Sequence, residues 1–217
     1  RVLHVIESLG SGGAERRLLN DVTRLQQEFS HTVVHLFPEA ALRSHFEQRG
    51  IPTIGLGAGG LSDARALPAL ATVIHRVKPD LIHTQLFGAD LYGRLAGRWH
   101  RVPVVSTVQA SVYEDPEPFH QSAKRIRERV DRWTARLCVS RLVAVSEFVK
   151  RSMERSLRFP GERIDVIPNA VDPEPFERVD PLAAERLRQE LRLPEGCAVL
   201  ITTGKLIPTK GHAVALE

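Results

Sequence analysis

Two loops hold the residues whose chemistry stands out. Near the start, Leu9-Gly10-Ser11-Gly12-Gly13-Ala14-Glu15 joins an apolar run, Val2 to Ile6, to a stretch with helical spacing. Glycines in such a turn let bare backbone amides approach an anion at the positive end of a helix. The turn reads as a phosphate or carboxylate cradle, or as a tight turn whose glycines only satisfy geometry. It is not a dinucleotide fingerprint, because the third glycine of G-x-G-x-x-G falls on Glu15, and no Walker Lys-Ser/Thr pair follows. Far along the chain, Gly204-Lys205-Leu206-Ile207-Pro208-Thr209-Lys210-Gly211 sets two ammonium groups five residues apart at a strand-to-helix turn. There both can converge with the helix dipole on a diphosphate, or both can simply be solvated.

Such groups need a frame. Short β-rich runs alternate with helical stretches: strands are predicted at Val2 to Ile6, Thr32 to Phe37, Thr53 to Leu56, Leu81 to Thr84, Val104 to Val108, Leu142 to Val145, Ile164 to Ile167 and Val199 to Thr202. Between them lie helical segments at Ala14 to Phe29, Leu61 to Val77, Ala89 to His100, Gln121 to Leu137 and Glu147 to Arg155, the last with Ser146 as N-cap. This alternation specifies an α/β fold with a doubly wound parallel sheet, whose ligands gather beyond the carboxyl ends of the strands. Three prolines between Pro168 and Pro175 break regular structure and mark a hinge. The expected organisation is a first domain over residues 1–170, a hinge or linker over 171–194 that holds the helical stretch Leu182 to Leu191, and the first strand, loop and helix start of a second domain over 195–217. One strand with its loop buries no core, so a further domain of roughly 150 residues is expected beyond Glu217.

Composition excludes several classes. The 217 residues are 42% hydrophobic and 26% charged, with 30 Lys+Arg against 26 Asp+Glu, which fits neither a disordered, a fibrous nor a membrane-spanning chain. The formal charge of +4 favours phosphates and anionic surfaces in general. Cys138 and Cys197 lack the spacing of a zinc or redox site and read as reduced thiols, which suits a cytoplasmic protein. The nine histidines form no metal-ligand pattern, and no Gly-x-Ser-x-Gly elbow occurs. No metal or cofactor is expected.

Several pieces occur together in a telling order: Ser11-Gly12-Gly13-Ala14-Glu15, His83-Thr84-Gln85, Gly93-Arg94-Leu95-Ala96, Val145-Ser146-Glu147, Ile167-Pro168-Asn169-Ala170-Val171-Asp172, and Gly204-Lys205-Leu206 to Lys210-Gly211. In this arrangement the chain resembles the GT-B glycosyltransferases of family 4. The resemblance implies two Rossmann-like domains, the first holding mainly the acceptor and the second mainly a nucleotide-diphosphate sugar. It implies a retaining, metal-free transfer to a carbohydrate or lipid-linked acceptor, in a setting such as polysaccharide biosynthesis. On it, Gly12 and Gly13 match the glycine loop near the donor phosphates, and Lys205 and Lys210 match the cations that neutralise the diphosphate. Gln109 stands where many relatives have a histidine against the transferred sugar; it can hydrogen-bond a hydroxyl but cannot titrate. The Glu-x7-Glu motif of the second domain is absent from these residues, so the 217 residues alone are expected to be inactive.

His83, at a strand end, reads as a sugar- or acceptor-side group or as a satisfied structural histidine. From Lys124 to Arg136, Ile126, Val130, Trp133 and Leu137 form one helical stripe among basic residues. That stripe is most simply core packing; the alternative is docking of the basic helix on an anionic membrane surface. Nucleic acid is not expected, since no aromatic platform accompanies the arginines. Two other functions stay open: a sugar-nucleotide epimerase on the same scaffold, and a binding module without turnover.

Overall fold

A computed structural model describes residues 1–110, 121–171, 173–177, 180–204, 206 and 211–216. It divides into two compact units, Arg1–Asn169 and Ala170–Glu217.

The first unit is built on seven parallel strands: β1 (Val2–Ile6), β2 (His31–His35), β3 (Thr53–Gly55), β4 (Leu81–Gln85), β5 (Val104–Val108), β6 (Arg141–Ala144) and β7 (Ile164–Val166), in the order β3-β2-β1-β4-β5-β6-β7. Parallel neighbours need crossovers, and helices supply them: α1 (Gly13–Leu25), α2 (Arg43–Glu47), α3 (Ala66–Val77), α4 (Phe87–His100), α5 (Gln121–Cys138) and α6 (Glu147–Ser156). The sheet order reverses direction between β1 and β4, which is where such folds open a crevice for ligands.

Each helix buries the stripe its sequence supplies. Leu18, Leu19 and Val22 of α1 meet Ile6, Val33 and Phe46 on one side of the sheet. Leu70, Val73 and Ile74 of α3 join Leu3, Val5 and Ile82 on the other. Gly93 and Gly97 let α4 lie close on the sheet: an added Cβ would come within 3.0 Å of Thr84 Cγ2 at the first and of Val104 Cγ2 at the second. The Ser146 hydroxyl accepts from Val149 N at 3.2 Å, the predicted cap of α6.

Two expectations are corrected. Ile126, Trp133 and Leu137 do not pack in the core; they are 63%, 58% and 56% exposed. The buried flank of α5 is instead Thr134 and Ala135, next to Asp131, because a buried arginine on α4 takes Asp131 as its partner. In the second unit, α7 (Glu174–Glu177) and α8 (Pro181–Glu190) are helical, but Val199–Thr202 is not a strand, and the described residues after it form only a 3-10 turn, Val214–Leu216. A strand exists only by pairing, and no described residue offers this run a ladder.

Candidate active site

The carboxyl ends of β1, β4 and β5 surround a cavity of about 140 Å³, closed at its sides by α5 and α6. Leu86, Phe87, Val108 and Met153 supply its apolar wall, and Glu7, Asp90, Gln109, Arg127 and Asp131 its polar groups. Glu7 Oε1 accepts from Gly88 N at 2.7 Å, at the positive end of α4. Leu86, between β4 and α4, has φ 72° and ψ 153°. That region is almost confined to glycine and costs on the order of 1–3 kcal/mol, a strain that tends to persist at functional sites.

Beneath the cavity lies a buried ionic network. Arg94 is 1% exposed, pairs with Asp90 at 3.2 Å and with Asp131, and donates to Ser106 Oγ at 3.0 Å. Thr84 donates to Asp90 at 2.5 Å. Burial pushes the Asp90 carboxyl up to about 6, against the pull of Arg94. The sequence reading missed Asp90 and Arg94 as a pair, although their spacing on a helix, i and i+4, was a usable signal.

His83 lies on the opposite side of the sheet. Its Nδ1 shares a hydrogen bond with His4 Nδ1 at 2.9 Å, and its Nε2 one with Thr107 Oγ1 at 2.8 Å; His4 Nε2 meets His31 Nδ1 at 2.9 Å. Three imidazoles thus cross β2, β1 and β4 in a row that ends on a cavity-lining threonine. Burial, with Arg17 nearby, lowers His83 to about 4. Burial and its two histidine neighbours take His4 well below the usual range. Both ring nitrogens of His83 are therefore engaged inside the protein, while Gln109 faces the cavity and donates to Gln85 Oε1 at 3.2 Å.

At the glycine turn, Gly12 caps α1 in extended geometry. A Cβ on Gly12 would strike the Glu15 carboxylate, whereas one on Gly13 would meet nothing within 4 Å. Arg17, one turn into α1, donates to Asn169 Oδ1 of the Pro-Asn-Ala-Val-Asp segment. Lys205 and Lys210 lie outside the described residues.

On α5, Trp133 and Leu137 stand exposed beside Arg129, Arg132 and Arg136. Among the described residues no helix is long and apolar enough to cross a membrane.

A parallel α/β unit with a cavity and a glycine-rich turn at its carboxyl edge is the layout of a Rossmann-like GT-B domain. Anabaena HepE in complex with UDP-glucose has the same fold, with a TM-score of 0.72 and 24% identity over 88% of this chain and 49% of that one. The family model for Glycosyltransferase Family 4 matches residues 11–175, and the chain belongs to that family. Among characterised relatives, 2-deoxystreptamine glucosyltransferase of Streptomyces kanamyceticus is 28% identical, covering 99% of this chain and 57% of its own length. The UDP-Gal:alpha-D-GlcNAc-diphosphoundecaprenol alpha-1,3-galactosyltransferase of Escherichia coli is 29% identical over 58% of this chain and 32% of its own. The chain therefore spans between about a third and just over half of these relatives.

Proposed function

We propose that this chain supplies the acceptor-side domain of an enzyme that moves a sugar from a nucleotide diphosphate to a carbohydrate or lipid-linked acceptor with retention of configuration. The observation that supports it most is the coincidence of the family match with a cavity at the carboxyl edge of the sheet whose wall is apolar and whose rim carries charged and amide groups. In this reading the amides of Gly12 and Gly13 approach the donor diphosphate. Lys205 and Lys210 neutralise the charge that grows on it as the bond to the sugar breaks, a role that calls for no metal. The bare backbone at Gly13 leaves room for that approach. Gln109 and His83 belong to the sugar and acceptor side. Gln109 orients a hydroxyl by hydrogen bonding and takes no proton; His83, locked between His4 and Thr107, fixes the cavity wall. Membership of Glycosyltransferase Family 4 favours transfer over epimerisation.

UDP-glucose serves as the probe, because HepE and the relatives above concern UDP or glucosyl donors. Calorimetry on a protein spanning the full length of these relatives should detect binding, weakened by Gly13→Val and abolished by Lys210→Ala. Affinity unchanged from the parent in both variants would defeat the assignment.

A lipid-linked acceptor would bring the enzyme to a membrane surface, and the exposed face of α5 suits that role. Tryptophan and leucine side chains enter the headgroup boundary, while arginines meet anionic lipid. Vesicles containing phosphatidylglycerol should sediment the chain at low salt. Trp133→Ala combined with Arg136→Ala should release it, and no sedimentation at low salt would remove the membrane role.

A further inference from the structure

Every carboxylate in the cavity is already engaged. Glu7 holds the Gly88 amide, and Arg94 takes both Asp90 and Asp131. Arg127 is the contrast. Asp131 stands one turn further along α5, at the spacing that ordinarily gives an ion pair, but it is turned to Arg94. The Arg127 guanidinium lies over the Phe87 ring instead, its carbon 4.2 Å from the ring centroid. Among the described residues its Nε is buried without a hydrogen-bond acceptor.

A planar fork backed by an aromatic ring is held in place and ready to donate. The groups around it decide what it donates to. An anion would lie against Glu7 and Asp131 as well as Arg127, so like charges would oppose it. An uncharged ring with several hydroxyls fits better: each hydroxyl both donates and accepts, and the cavity offers a donor in Arg127, an acceptor in Glu7 and both in Gln109. The apolar wall of Phe87, Leu86, Val108 and Met153 can cover its C–H face. A volume of about 140 Å³ is close to that of a cavity known to hold one six-membered ring.

We infer that Arg127 is a substrate-binding residue, which donates to a hydroxyl of a single uncharged monosaccharide ring seated between Phe87, Glu7 and Gln109. This rests on the sugar-transfer reading and deepens it. The ring belongs either to the acceptor or to the donor sugar.

The test is NMR titration of the 217-residue chain with methyl glucoside and methyl galactoside. One glycoside should saturably shift the amides of Phe87 and Gln109 and the Arg127 Nε–H. Arg127→Ala should weaken binding about tenfold or more, as expected for loss of a charged donor. Arg127→Lys should fall between, because an ammonium group cannot reproduce the planar fork, and Arg76→Ala, at an exposed position on α3, should bind as the parent does. The proposal is overturned if neither glycoside moves these signals, if Arg127→Ala binds unchanged while its amide spectrum stays that of the folded parent, or if glucose 6-phosphate binds more tightly than the neutral glycosides. If Arg127→Ala fails to fold, Arg127→Gln, which keeps most of the stem, takes its place under the same criteria. Displacement of the glycoside by UDP-glucose assigns the ring to the donor; simultaneous binding assigns it to the acceptor. Calorimetry with UDP on a protein spanning the full length of the relatives reports separately on the transfer reading, so failure of one leaves the other standing.

Discussion

Replacing Asp90 with asparagine should change how stability depends on acidity. In the folded chain the Asp90 carboxyl is raised to about 6 from an ordinary 3.8. As pH falls from 7 towards 4, the folded state binds a proton that the unfolded state does not, so this group adds stability as the medium becomes more acid. That contribution is complete below the unfolded value and is lost as pH rises through 6. The shift corresponds to about 3 kcal/mol, a large share of the ~5–15 kcal/mol that holds a domain together. Asparagine carries no such proton. Urea unfolding of parent and Asp90→Asn at several pH values between 4 and 7.5 should give stabilities that diverge by about 2.5 kcal/mol, the parent gaining at the acid end. The absolute level of the variant also reflects its weaker contact with Arg94, so the divergence is the quantity to read. Parallel profiles would refute the claim that the Asp90 carboxyl is raised to about 6 in the folded chain.

His83 works in the opposite sense: its folded value of about 4 lies below the ordinary 6.5, so it costs stability as pH falls between those values, and His83→Gln should gain about 3 kcal/mol on the parent by pH 4 in the same assay. Gly97→Ala should destabilise by roughly 1–3 kcal/mol by overpacking Val104, seen as a lower urea midpoint with unchanged slope. Gly13→Ala should leave thermal stability unchanged or raise it by about 0.4–1 kcal/mol, since its methyl meets nothing, while weakening UDP-glucose binding in calorimetry.

Most of the frame was legible because a parallel sheet covered on both faces favours apolar runs, and β1, with Val2, Leu3, Val5 and Ile6, is nearly such a run, while β4 and β5 each open on an apolar pair, Leu81-Ile82 and Val104-Val105. The cap on α6 was equally plain, since a serine before a helical pattern has one obvious task. The face of α5 was not legible. Periodicity identifies the apolar stripe of Ile126, Trp133 and Leu137, but it does not reveal that Arg94 on another helix needs Asp131 and so turns that stripe outward. The same long-range pairing hid the cavity: Glu7, Phe87 and Arg127 are far apart in sequence, and only the sheet order brings them together. Val199–Thr202 failed for a related reason, because an apolar run states a preference for pairing without naming a partner.

The strand order has a bearing on synthesis. Once β1, β2 and β3 have associated, β4 joins the free edge of β1, opposite β3, and β5, β6 and β7 emerging from the ribosome then each join the edge that the preceding strand has just formed. None has to be threaded between two that are already joined. After β3, growth of the sheet is confined to one of its two edges, which limits the opportunity for neighbouring chains to cross-pair there.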